Sequence, residues 1–192
     1  MASLPQHRIS PEEYVALEQE FGGRYEYHDG QMFAMSGSTA LHSQLLVNLT
    51  IEVGTGLRGT ACRAYLNDFR VVIEAADMAT YPDLSILCSP IIPSSRYKNS
   101  CTNPTVLFEV LSPSTEAYDR GAKFQQYRKL STLREYVLVS QSEHAVDLFR
   151  LEEGHWLYFP IHGEDAVLSL ASVGIEISLG DIYRNVSFDP VE

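Results

Sequence analysis

Apolar and polar positions along this chain repeat in two periods, and the switches between them mark its elements. "SPEEYVALEQE" (residues 10–20) predicts a helix: Ser10 suits the N-cap, Pro11 the first position and Glu13 the capping-box partner. "RYEYHDGQMFAM" predicts a hairpin turning at Asp29-Gly30. In "STALHSQLLVNLTIEVGTGL", Leu41, Leu45, Leu49 and Val53 recur at helical spacing, with Gly54 and Gly56 near the end. "CRAYLNDFRVVIE" reads as one bent strand or two, broken near Asn67-Asp68, and "TYPDLSILC" as a strand opened by Pro82. A polar loop, "PIIPSSRYKNSCTN", leads to the strand "TVLFEVL". "STEAYDRGAKFQQYRKL" is a helix with Phe124, Tyr127 and Leu130 on one side. "REYVLVS", "AVDLFRL" and "HWLYFPI" are successive strands, the last two joined around Glu153-Gly154, and "GIEISLGDIY" is a short strand and turn.

This order is an α/β (or α+β) layout. The strand–helix–strand unit from Thr105 to Val139 predicts a parallel pair with a right-handed crossover. The expected architecture is a mixed central sheet flanked by helices. At 192 residues, without a repeat or clear linker, residues 1–192 are expected to form one domain with a sizeable core.

Charge and composition narrow the function. The net charge is −11, which repels nucleic acid at long range. A DNA-binding role therefore needs a locally basic surface, divalent cations, or both. No apolar run nears the roughly 20 residues that span a bilayer, and "MASLPQHRISPEEY" has no apolar signal region, so neither a membrane nor a secretory role is expected. Cys62, Cys88 and Cys101 are scattered and odd in number, with no zinc spacing or disulfide framework. They are expected to be reduced thiols in a cytoplasmic protein.

The candidate chemistry lies in two apolar strands that each carry an acid, Asp83 in "TYPDLSIL" and Glu109 in "TVLFEVL". A buried, unpaired carboxylate costs on the order of several kcal/mol. A basic partner, a raised pKa or a metal ion would compensate. If neighbouring strands bring the two acids together, their repulsion calls for a cation between them. A hard ion such as Mg²⁺ or Mn²⁺ suits these oxygens, with the backbone carbonyl near Val110, water and substrate phosphate completing its shell. Lys123 follows on the helix, four residues after Asp119, where its ammonium would reach the acid pair and stabilise charge developing on a phosphate. Each residue alone has a plainer reading. Glu109 would face solvent by strand alternation, Asp83 would serve a strand end, and Lys123 would pair with Asp119 in solvent. Asp68 and Arg70 are expected to form a structural ion pair. There is no Gly-x-Ser-x-Gly elbow, P-loop ending or dinucleotide-binding glycine pattern.

"YPDLSIL", then "PTVLFEVLSPST", then "DRGAKFQQYRKLSTLREYVLV" resembles the Uma-type family of restriction endonucleases, within the PD-(D/E)XK nuclease superfamily. "YEYHDGQMFAMSGSTALHSQLLVNL" matches the entry hairpin and first core helix of that family. The resemblance implies a restriction-endonuclease-like fold, Asp83 and Glu109 as ligands of Mg²⁺ or Mn²⁺, and a DNA substrate. The general superfamily pattern has lysine two residues after the acid, where this chain has Leu111; in this family the lysine sits on the following helix, as Lys123 does. Glu26 and His42 also match positions that look functional in the family. Their plain readings are a strand-surface charge and a helix-surface or core histidine.

Two functions follow. One is a metal-dependent DNA endonuclease, expected as a homodimer because cutting two strands is simplest with two sites, with the segment from Ala145 to Ile161 as a pairing surface. The other is an inactive nuclease-like binding or assembly module, favoured by the acidic charge. A cleft near Asp83 rimmed by Arg96, Lys98, Arg120, Arg128 and Lys129 would favour DNA; an acidic or flat surround would favour the module.

Overall fold

The computed structural model describes residues 8–35, 37 and 39–188. The expectation about a signal segment concerns residues 1–14, of which 1–7 lie outside this range. Helix α1 (Pro11–Phe21) starts with the expected box: Glu13 N–H donates to the Ser10 hydroxyl, and Ser10 N–H donates to the Glu13 carboxylate. Strands β1 (Tyr25–His28) and β2 (Gln31–Ala34) form the hairpin, with Asp29 and Gly30 both at positive φ, as its two-residue turn requires. Helix α2 (Ala40–Gly56) buries Leu45, Leu49 and Val53.

The segment 62–74 is two strands, β3 (Arg63–Leu66) and β4 (Arg70–Ile73), and they enter different sheets. The segment expected as one strand from Thr80 also divides, into β5 (Met78–Thr80) and β6 (Leu84–Leu87). Pro82 lies in the gap; it has no N–H to give a ladder. After the two-residue β7 (Ser100–Cys101) comes β8 (Val106–Val110). The next helix is composite: α3 (Glu116–Tyr118) runs through a π-helical turn (Asp119–Lys123) into α4 (Phe124–Tyr127). Strands β9 (Glu135–Val139), β10 (Ala145–Glu152), β11 (His155–His162), β12 (Val167–Leu170) and β13 (Ile175–Ser178) precede α5 (Leu179–Ile182).

The mixed sheet is six-stranded, ordered β11-β10-β9-β8-β6-β3, with β8 and β9 parallel across the helical crossover. A second, five-stranded sheet ordered β2-β1-β5-β4-β7 and a β12–β13 hairpin add to it. Val106, Phe108, Val137 and Val139 face α2 and the C-terminal hairpin. Leu107, Tyr136 and Leu138 face the composite helix through Phe124, Tyr127 and Leu130. A third cluster packs α1 on the five-stranded sheet around Tyr14, Tyr27 and Val72. Among the described residues no helix is long and apolar enough to cross a membrane.

The cysteine expectation is corrected. Cys62 and Cys88 are joined as a disulfide, and only Cys101 is free and buried. The pairing follows from register: Arg63 opposes Leu87 on β3 and β6, so the next residues outward, Cys62 and Cys88, meet. Spacing along the chain carries no trace of this, because their 26-residue separation is set by the strands between them. Reducing this bond, or replacing both residues with serine, is expected to cost about 3 kcal/mol by freeing the loop it closes. Melting with and without reductant checks this; an unchanged Tm would contradict it.

Candidate active site

The side on which Glu109 points is decided by the second layer of the fold. It shares the face of Leu107 on β8, and the composite helix covers that face. Glu109 is therefore only 6% exposed. Its Oε1 accepts a hydrogen bond from the Tyr127 hydroxyl (2.8 Å) and an ion pair from Lys123 Nζ (2.9 Å).

Asp83 arrives by register. Leu84 opposes Phe108 on β6 and β8, and one step further the antiparallel pairing brings Asp83 across from Glu109. The Val110 N–H donates to Asp83 Oδ2 at 2.8 Å, and His42 Nε2, from the first turn of α2, lies 3.2 Å from the same oxygen. Glu26 arrives from the other sheet. Tyr27 opposes Ala79 on β1 and β5, so Glu26 falls beside Thr80, whose hydroxyl donates to Glu26 Oε1. Lys123 Nζ is 2.9 Å from that oxygen too, and 3.5 Å from Asp119 Oδ1.

The π-helical turn explains how one helix delivers these groups. In a regular α-helix, residue i+8 is rotated about 80° away from residue i. The wider turn at Asp119–Lys123 takes up that drift, so Asp119, Lys123 and Tyr127 are all buried toward the sheets. Lys123 thus bridges acids from both sheets. Burial opposes its charge, but Glu109 and Glu26 outweigh burial and hold its pKa well above the ordinary lysine value. Burial pushes Glu109 well above the usual carboxylate range; Lys123 opposes the rise, and Asp119, Asp83 and Glu26 add to it. Asp119 is raised by burial in the same way, again against Lys123. For His42, burial disfavours the cation, but the hydrogen bond and charge of Asp83 win and raise its pKa.

All the residues singled out in the sequence, Glu26, His42, Asp83, Glu109, Val110 and Lys123, line one cleft of about 550 Å³. Asp119, expected only as a solvated partner of Lys123, is a further buried acid of this cleft. Tyr127, expected as core, has a core ring but a hydroxyl committed to Glu109. The i, i+4, i+8 spacing of Asp119, Lys123 and Tyr127 was the available signal, and regular helical geometry hid it. Two buried atoms, Glu26 Oε2 and His42 Nδ1, have no hydrogen-bond partner among the described residues. No three His, Cys, Asp or Glu side chains among the described residues form a ready cage for a metal ion.

The basic rim that would favour DNA is not at this cleft: none of Arg96, Lys98, Arg120, Arg128 and Lys129 lines it, and an acidic surround is the outcome that favours the binding-module reading. Besides Lys123 its basic residue is Arg24, which donates to the carbonyl (2.6 Å) and side chain (2.9 Å) of Asn67. Arg120 is held instead by Glu116 and Asp147. Arg70 pairs with Glu18 rather than Asp68, because its strand, β4, packs beneath α1.

The family model described as "Uma2: Putative restriction endonuclease" matches residues 11–180. An uncharacterized Synechocystis protein, slr1290, is 36% identical over 187 residues, covering 97% of each chain. A second uncharacterized Synechocystis protein, sll1609, is 25% identical over 168 residues, 87% of this chain and 95% of that one. The crystal structure of a "putative nuclease belonging to DUF820" from Anabaena variabilis superposes with a TM-score of 0.74 at 21% identity, covering 91% of this chain and 97% of that one, and it shares the fold.

Proposed function

The chain belongs to the Uma2 family, described as "Putative restriction endonuclease", and from that premise we propose that it is a divalent-metal-dependent DNA endonuclease that hydrolyses phosphodiester bonds. Family and fold support a nuclease-type activity. The observation that carries the finer reading is the facing pair Asp83 and Glu109 with the buried Lys123 at its side.

The donor set fits a hard cation. The hydrogen bonds of Asp83 and Glu109 fall on Oδ2 and Oε1, which leaves one oxygen of each for a ligand, and Glu26 Oε2 is a buried oxygen without a partner among the described residues. Asp83, Glu109 and the Val110 carbonyl would hold Mg²⁺ or Mn²⁺. When bound, such an ion supplies neutralisation of the scissile phosphate and a more acidic water. The chain's own groups do the rest. The Val110 amide and His42 fix the Asp83 carboxylate. Lys123 carries a fixed positive charge beside Glu109, suited to stabilising charge on a phosphate in the transition state. Glu26, Asp119 and Tyr127 position the ammonium and the Glu109 carboxylate. Cutting both strands of a duplex is simplest with two such sites, and the same reading therefore includes a homodimer. The edge strand β11 presents Leu157 and Tyr158, 40% and 53% exposed, for that pairing.

Calorimetric titration with Mn²⁺ tests the metal site. The wild type is expected to bind the ion and Glu109→Ala to lose it, while the wild type cuts duplex DNA in Mg²⁺. Equal binding by both proteins would remove Glu109 from the site, and an intact duplex under these conditions would remove the endonuclease reading.

A further inference from the structure

Two of the cations missing from the Asp83 cleft, Arg96 and Lys98, lie next door. A second cleft, of about 490 Å³, is lined by Glu18, Asp68, Arg70, Tyr81, Arg96 and Lys98. The turn between β3 and β4 borders both: Asn67 lines the first cleft and Asp68 the second. The link between β5 and β6 does the same, with Tyr81 in the second cleft and Asp83 in the first.

Arg70 is built in rather than merely present. It is 7% exposed, and its guanidinium lies 5.2 Å from the ring centres of Tyr81 and Tyr97 and 5.5 Å from that of Tyr14. Glu18 balances its charge, Tyr81 and the Lys98 carbonyl accept its hydrogen bonds, and its Nε has no partner among the described residues. This rigid base holds the Lys98 backbone at the cleft, while the Lys98 side chain is in no ion pair among the described residues. Arg96 is anchored by Asp77 at 2.5 Å.

The charge balance differs between the clefts. In the second, Arg70, Arg96 and Lys98 are matched evenly by Glu18, Asp68 and the Asp77 that holds Arg96, whereas in the first Arg24 and Lys123 face four acids, Glu26, Asp83, Glu109 and Asp119. A polyanion whose cleavage point lies among four acids must gain its attraction elsewhere, more so on a chain of net charge −11. Arg24, pinned on Asn67, stands at the turn the two clefts share. We propose that the second cleft binds a backbone phosphate of the same DNA strand, away from the scissile one, through Lys98 and Arg96 on the Arg70 platform. The proposal rests on the endonuclease reading above. It makes this cleft the strand's electrostatic anchor and Arg24 a stepping point between the two.

The test is the binding of a fluorescein-labelled duplex oligonucleotide, followed by anisotropy in Ca²⁺ across a salt series. The variants are Lys98→Ala, the double variant Lys98→Ala with Arg96→Gln, and Lys129→Ala. Lys129 carries the same charge on the exposed end of the composite helix, outside both clefts. The double variant is expected to bind on the order of tenfold more weakly, and its slope of log affinity against log salt to fall by about 2. Lys98→Ala, an exposed change, is expected to show about half that loss of slope and keeps the test open should the double variant fold poorly. Lys129→Ala is expected to bind like the wild type. Wild-type affinity in both cleft variants would overturn the anchor while leaving the endonuclease reading standing, and an equal loss in Lys129→Ala would overturn it as general charge. A wild type that binds no DNA would overturn both.

Discussion

Asparagine in place of Asp83 is expected to lower metal-dependent DNA cleavage by about a thousandfold or more and to leave the fold in place. The size follows from the several kcal/mol that a bound cation contributes to a phosphoryl transition state. The fold should survive because an amide oxygen still accepts the Val110 N–H, and the substitution adds no atom to the strand pair β6–β8. The His42 contact reports on the same change: without the carboxylate, the group that raises its pKa is gone. Cleavage rates in Mg²⁺, with circular dichroism to follow folding, check the result. A folded variant that cuts at the wild-type rate would remove Asp83 from the chemistry.

The second large effect is on stability. Lys123→Met removes the cation that is ion-paired with Glu26, Glu109 and Asp119, and leaves three buried acids to repel one another. Removing one side of a buried ion pair costs about 3 to 5 kcal/mol, which is roughly 10 °C in Tm for a chain of this size. The loss should also depend on pH. Glu109 is raised by burial already, and without Lys123 opposing that rise its folded pKa climbs further. A folded state that holds the proton more tightly than the unfolded state loses stability as pH rises, starting from the ordinary glutamate value near about 4.3. The variant should therefore come closest to the wild type in acid and fall away toward neutral pH. Adding Glu109→Gln should recover part of the loss. Thermal melts of the three proteins across pH decide it: a pH-independent deficit would mean that the damage is lost packing around the lysine stem.

Much of the candidate site was legible in the chain because its oddities are local. An acid inside "TVLFEVL" and another after Pro82 stand out against apolar neighbours, and burial on both faces of β8 makes such an acid costly whichever way it points. The Ser10 cap and the turns at Asp29-Gly30 and Glu153-Gly154 were legible for the same reason, since one or two residues determine them. Asp119 was not, because its role depends on a π-helical turn that shifts the face of the helix by one residue. The Cys62–Cys88 bond and the division of "TYPDLSILC" between two sheets depend on which strand lies beside which.

The sequence by itself determined most of the helices and strands, the α/β (α+β) layout, and the candidate residues Glu26, His42, Asp83, Glu109 and Lys123. Only the tertiary structure decided that acids from two sheets share one lysine, and that Arg96 and Lys98 sit at the neighbouring cleft rather than around Asp83. The physical reason is range. Propensity, capping and alternation act over a few residues, whereas charge pairing acts through space, between Glu26 and Lys123 or Arg70 and Glu18, and is set by sheet order and register that no local pattern encodes.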